Sequence, residues 1–237
     1  MSRKTILIFI IISAIFLIIS IVNITLSFKT SALPLRAKTD SGILTKTEND
    51  SKLTGDAQKK HEYLLLNLNS ISFKTIYYGE AANEIRGSGQ FFTAFSLFYK
   101  EKFYLITAGH SIAMNGESYN DFKFKPNNRD VWITPQLLYY ENDIENNNDF
   151  AIFEDSYIKN GLYPASGNLV PEYIFGNTAR DLNIVKKYNK DITAAFGESG
   201  SPVLNSECQV VGVLIKSKGE YTEIENVLAA LEKILKD

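Results

Sequence analysis

Three side chains in this sequence of 237 residues have the types needed for acyl transfer. In chain order they are His110 in ITAGHS, Asp149 in NNNDFAIFE and Ser199 in AAFGESGSPVLN. A serine hydroxyl is a poor nucleophile at neutral pH and needs a base within hydrogen-bond reach. That base needs a carboxylate to fix its tautomer and stabilise the imidazolium. Asp143 and Asp155 compete for the carboxylate role, but only Asp149 directly precedes an apolar run. The flanking glycines have a physical use as well. Lacking a Cβ, Gly197 is free to aim its N–H into the same hollow as the N–H of Ser199, a pair suited to an oxyanion. Gly200 lets the chain leave tightly, and Pro202 stiffens the start of the next segment. Taken singly, each residue also has a plain structural reading: a polar residue at a strand end, a loop acid, a Gly-Ser turn.

Little other chemistry competes. A single cysteine, Cys208, excludes an internal disulfide framework and a multi-cysteine zinc site. Only His61 and His110 are available as imidazole ligands, so neither a metal nor an organic cofactor is expected. The 25 basic and 27 acidic residues give a net charge of −2, spread evenly, which makes no electrostatic case for nucleic acid. Cys208 reads as a small, quiet residue, Trp132 as core and His61 as solvated. Lys186, Lys187 and Lys190 read as a solvated hairpin tip.

The elements that must position the three side chains are mostly strands. From about residue 61 the chain consists of short runs rich in aromatic and β-branched residues. Strands are expected at 90–99 and 102–107, over 130–140, in NDFAIFE and in QVVGVLIKS, with a hairpin in NIVKKYNKDITAAF. The segment YTEIENVLAALEKILKD carries Ile224, Val227, Leu228, Leu231 and Leu235 at helical spacing, so a C-terminal helix packs one face on the body. Many short strands closed by one helix predict an all-β barrel architecture.

The N-terminus is different in kind. Residues 5–26 carry no charge over 22 positions, and a helix of that length covers roughly 33 Å, enough to cross the hydrocarbon core. The run is longer than the apolar region of a cleavable signal peptide. It therefore predicts an uncleaved anchor over 1–28, a transmembrane helix that is the chain's contact with the membrane. Cleavage near Ser31-Ala32, giving a secreted form, is the alternative. A polar stalk is expected over 29–62 and the folded domain over 63–237, the latter on the extracytoplasmic side, periplasmic or at the cell surface.

Taken together, the motifs resemble those of the trypsin-like (chymotrypsin-fold) serine peptidases. GESGSP is similar to their G-[DN]-S-G-[GS]-P, TAGHS to TA-x-H-[CS] and NNDFAIF to D-[IFL]-A-[LIV]. GSG at 87–89 is similar to the opening motif of bacterial members, including the glutamyl endopeptidases. The likeness covers residues 66–237 and implies an all-β, two-barrel fold with a C-terminal α-helix. It also implies His110 as general base and then acid, Asp149 as its orienter, Ser199 as nucleophile, and Gly197 with Ser199 as the oxyanion hole. Counting along the family pattern places Thr193 at the base of the pocket for the residue before the scissile bond. Ile215 and Ser217 fall in the segment that contacts the substrate backbone. The implied activity is that of a membrane-tethered serine endopeptidase acting on protein or peptide substrates. The rival is a catalytically inactive domain of the same fold serving as an envelope interaction module. Glu198 stands where the family has Asp or Asn, and a buried carboxylate there needs a partner that the sequence does not name.

Overall fold

Aromatic and β-branched runs punctuated by Gly, Asn and Pro build the strands of this chain. The computed structural model describes residues 74–83, 88–114, 117–178, 181–215 and 218–236. The expected anchor and stalk, and Ser217, lie outside the described residues, among which no helix is long and apolar enough to cross a membrane. The first half of the domain contains β1 (Ile76–Asn83), β2 (Ser88–Tyr99), β3 (Lys102–Thr107), a 3-10 turn at Gly109–Ser111, and the two-residue strands β4 (Ala113–Met114) and β5 (Glu117–Ser118). It continues with β6 (Asp121–Pro126), β7 (Gln136–Asp143) and β8 (Asn148–Glu154). The second half contains β9 (Tyr173–Gly176), β10 (Ile184–Lys187), β11 (Pro202–Leu204), β12 (Val210–Leu214), β13 (Tyr221–Glu223) and the helix α1 (Ile224–Ile234).

Two sheets result, ordered β6-β1-β2-β3-β8-β7 and β10-β9-β11-β12-β13, with β4-β5 as a small separate ribbon. The strand pairs are antiparallel; β2 meets β3 with Phe95 opposite Ile106, and β11 meets β12 with Pro202 opposite Val213. The central strands of the first sheet bury both faces. Alternate residues Phe92, Leu105 and Phe153 pack with Phe124 inside the first half. Their neighbours Phe95, Ile106 and Ile152 join Phe175, Leu204 and Val213 of the second sheet in one shared core. Double-sided burial explains why these strands read as near-continuous apolar runs rather than clean alternations. Helix α1 inserts Ile224, Val227, Ala230 and Leu231 into the same core.

Three expectations need revision. The strand expected over 130–140 begins at Gln136, because Pro135 interrupts it and Ile133 makes only an isolated bridge with Phe124. Trp132, expected in the core, is 42% exposed, with the Lys125 ammonium 5.4 Å above its ring. The hairpin expected over 183–196 keeps only β10, which pairs with β9, while the residues after it bend into the turn that leads to Ser199.

Burial is the leading cause of raised hydroxyl pKa values at Tyr77, Tyr78, Tyr104, Tyr173, Tyr188 and Tyr221. Tyr77 is pushed from 10.0 to about 12. These groups hold their protons in the folded state after the unfolded chain has begun to lose them, so stability is full below pH ~10 and falls as pH rises toward ~12. Denaturant midpoints measured from pH 8 to 12 should show that fall. Tyr77→Phe should remove a contribution on the order of 2 kcal/mol from the decline.

Candidate active site

The apolar strand β3 runs out at Thr107, and the chain turns immediately through the 3-10 segment that carries His110. Strand β8 pairs with β3 in a register that sets Ala151 opposite Thr107, so Asp149, two residues earlier, lies beside that turn. The contact is direct and twofold. The His110 backbone N–H donates to Asp149 Oδ1 at 2.6 Å, and His110 Nδ1 stands 2.5 Å from Asp149 Oδ2. With a carboxylate on the Nδ1 side, the neutral ring carries its proton there and leaves Nε2 as an acceptor. Asp149 has no exposed surface, whereas the His110 side chain is 12% exposed. The Thr222 hydroxyl fixes the Asp149 backbone from the other sheet, accepting from its N–H at 2.9 Å and donating to its carbonyl at 3.1 Å.

Ser199 sits on a turn clamped between the two sheets. Its carbonyl accepts from Thr93 N–H of β2 at 2.9 Å. On the other side Gly200 N–H donates to the Leu214 carbonyl at 2.8 Å, and Leu214 N–H returns to the Ser201 carbonyl at 2.9 Å. Gly197 and Gly200 have φ of 97° and 84°, values that favour glycine. Space demands glycine too. A Cβ at 197 would collide with the Phe91 ring and come within 3.3 Å of the Asn177 carbonyl, and one at 200 would lie 3.0 Å from the Ala108 nitrogen. The last contact sets the Ser199 segment against the residue two before His110.

The structure therefore joins His110 to Asp149 and places Ser199 at the same seam. The Ser199 hydroxyl makes no hydrogen bond to His110 or to any other described residue. The N–H groups of Gly197 and Ser199 likewise donate to no described residue, which leaves two adjacent donors for an incoming oxygen. Thr193 is exposed, its carbonyl 3.5 Å from Lys186 Nζ. Ile215 is buried and its N–H donates to the Glu220 carbonyl at 2.9 Å. A cavity of about 600 Å³ lies between Asn146–Asn147 and residues 218–221, and among the described residues none of the sequence-predicted site residues lines it.

Several supporting residues had no signature in the sequence. The Thr93 hydroxyl donates to the Gly197 carbonyl and accepts from Asn177 N–H, both at 2.8 Å. Buried Asn177 reaches the Tyr77 carbonyl and exchanges side-chain hydrogen bonds with Asn127, tying β1 to the second sheet behind the turn. Lys186, read from the sequence as solvated, instead pairs with the buried Glu198: Nζ is 2.6 Å from Oε1 and 2.8 Å from Oε2. Opposite charges twelve residues apart carry no local pattern, and only the fold brings them together. Burial pushes the Cys208 thiol up from its usual value, in keeping with a quiet residue.

Against known proteins, no family model and no curated protein matches this sequence. Solved structures do. The active form of the Rv3671c protease from M. tuberculosis is similar with a TM-score of 0.56 and 14% identity, over 72% of this chain and 86% of that one. The serine endoprotease from Yersinia pestis has a TM-score of 0.55 and 12% identity, over 73% and 66% of the two chains. Deg5 has a TM-score of 0.54 and 15% identity, over 71% and 92%. The domain thus has the trypsin-like serine-protease fold, mostly β-sheet with a C-terminal helix.

The Thr222 hydroxyl satisfies two buried backbone groups at once. Thr222→Val, which keeps the shape and removes the hydroxyl, should cost about 1–3 kcal/mol for each group left unsatisfied. Equilibrium denaturation of the variant checks this.

Proposed function

We propose that this protein is a serine endopeptidase that hydrolyses peptide bonds through an acyl-enzyme. The observation that carries the reading is the buried Asp149 carboxylate bound to both the backbone N–H and Nδ1 of His110, beside a turn with two unused N–H donors. In the proposed mechanism Nε2 of His110 takes the proton as Ser199 Oγ attacks the substrate carbonyl. The carbonyl oxygen, now negative, settles on the N–H groups of Gly197 and Ser199. The imidazolium, stabilised by Asp149, then protonates the leaving amine, and water repeats the sequence on the ester. In unliganded enzymes such catalytic hydrogen bonds are often open and tighten in the substrate complex, which accommodates the unbonded Ser199 hydroxyl.

Thr193, Ile215 and Ser217 are assigned to substrate contact by their places in the family motif. A neutral Thr193 gives no charge with which to select Lys or Arg. The uncharged run at 5–26 supports tethering to a membrane with the domain on the extracytoplasmic side.

A second reading is a catalytically inactive domain of this fold that acts as an interaction module. The absence of a hydrogen bond between Ser199 and His110 favours it. The two readings part on one measurement, the labelling of the purified full-length chain by a fluorophosphonate. An active peptidase labels at Ser199, and Ser199→Ala loses both labelling and hydrolysis while keeping its fold. Asp149→Asn should lower kcat by about 10⁴. A wild-type chain that neither labels nor hydrolyses peptides leaves the interaction module as the function.

A further inference from the structure

The Glu198 side chain is 2% exposed, so its charge needs compensation inside the protein. Two hydrogen bonds meet it at Oε2, from Lys186 Nζ at 2.8 Å and from the backbone N–H of Ala195 at 2.6 Å, and the same ammonium stands 2.6 Å from Oε1 as an ion pair. Ala195 also begins the turn that Glu198 ends, because Glu198 N–H donates back to the Ala195 carbonyl at 3.1 Å. Backbone and side chain of Glu198 thus close the same four residues from both sides, and Gly197 with its positive φ is inside that ring. The cation is on a firm support. Lys186 belongs to β10, paired through Ile174 of β9, and its side chain is 29% exposed, open to solvent at one end.

We propose that Lys186 is a positioning residue for the peptidase reaction. Its ammonium keeps the Glu198 carboxylate buried and so sets the 195–199 turn to present the N–H groups of Gly197 and Ser199 to the substrate oxygen. This rests on the peptidase reading given above. Without the cation the carboxylate has either to take up a proton or to swing toward water. A swing detaches Ala195 N–H, opens the turn and disperses the two donors. The loss then falls on the step in which negative charge develops, not on substrate capture. Lys186 itself touches no reacting atom.

The test uses the full-length chain in detergent and compares wild type, Lys186→Ala and Lys186→Arg. The measurements are kcat and KM on a peptide substrate, the rate of fluorophosphonate labelling, and thermal melting. Lys186→Ala should lose about 10²-fold in kcat, the scale of a lost oxyanion donor, with KM little changed. Added propylammonium should restore turnover in a saturable way, and Lys186→Arg should recover at least about a tenth of wild-type kcat. Should Lys186→Ala fail to fold, the comparison passes to Lys186→Gln, which retains a neutral donor for Glu198 and should be about tenfold slower. A folded Lys186→Ala or Lys186→Gln with wild-type kcat overturns the role of Lys186 while the labelled wild type upholds the peptidase reading. Loss of activity that merely tracks a lower melting temperature overturns it too. A wild type that neither labels nor hydrolyses overturns both.

Discussion

A carboxylate with no exposed surface has to find its compensation inside the protein, and Asp149 finds it at His110. His110 approaches with a backbone and a ring N–H, and Thr222 pins the peptide groups on either side of the Asp149 Cα. Asp149 lies on β8 of the six-stranded sheet and Thr222 on β13 of the five-stranded one. The Thr222 bonds to the Asp149 backbone therefore join the halves of the domain, while the bonds from His110 meet the buried charge. They also settle the chemistry of the imidazole, since Nδ1 is committed as donor and Nε2 is left to accept.

The same seam holds the serine. Ser199–Ser201 lies between Thr93 of β2 and Leu214 of β12, so the turn takes its position from two rigid sheets and not from a loop of its own. Strands β2, β3 and β8 reach this seam because both of their faces are buried, one within the first half and one against the second sheet and α1. Sites built on elements supported this way hold their geometry more tightly than sites on free loops. Thr93 and Asn177 extend the support one layer deeper, trading hydrogen bonds where an apolar pair would leave the Gly197 carbonyl unpaired.

Two acids are buried at the site, and the protein treats them differently. Asp149 is met by an imidazole and a backbone N–H, Glu198 by a lysine and a backbone N–H. Removing one partner of a buried pair costs far more than the pair itself contributes, so each acid makes its partner indispensable. A shared fold at 12–15% identity does not carry chemistry with it. The case for catalysis rests on this local arrangement of acids, imidazole and unused N–H groups.

Much of the site could be read along the chain. The glycines at 197 and 200 are demanded by local backbone angles, and β3, β8, β12 and α1 stem from apolar runs and helical spacing, all short-range properties of a linear sequence. The misreadings have two causes. Trp132 stayed partly outside and the hairpin after β10 became a turn because tertiary packing overrode local propensity, whereas the strand over 130–140 shortened at Pro135, a local break. Lys186, Thr93, Asn177 and Thr222 were invisible for a different reason. Their partners stand 12, 104, 84 and 73 residues away, and a hydrogen bond over such a span has no periodicity to betray it. The sequence by itself determined which residues have the chemical types for acyl transfer and where most of the strands fall. Only the tertiary structure decided which polar side chains hold them, because a buried polar group takes its partner from whatever the fold brings within about 3 Å.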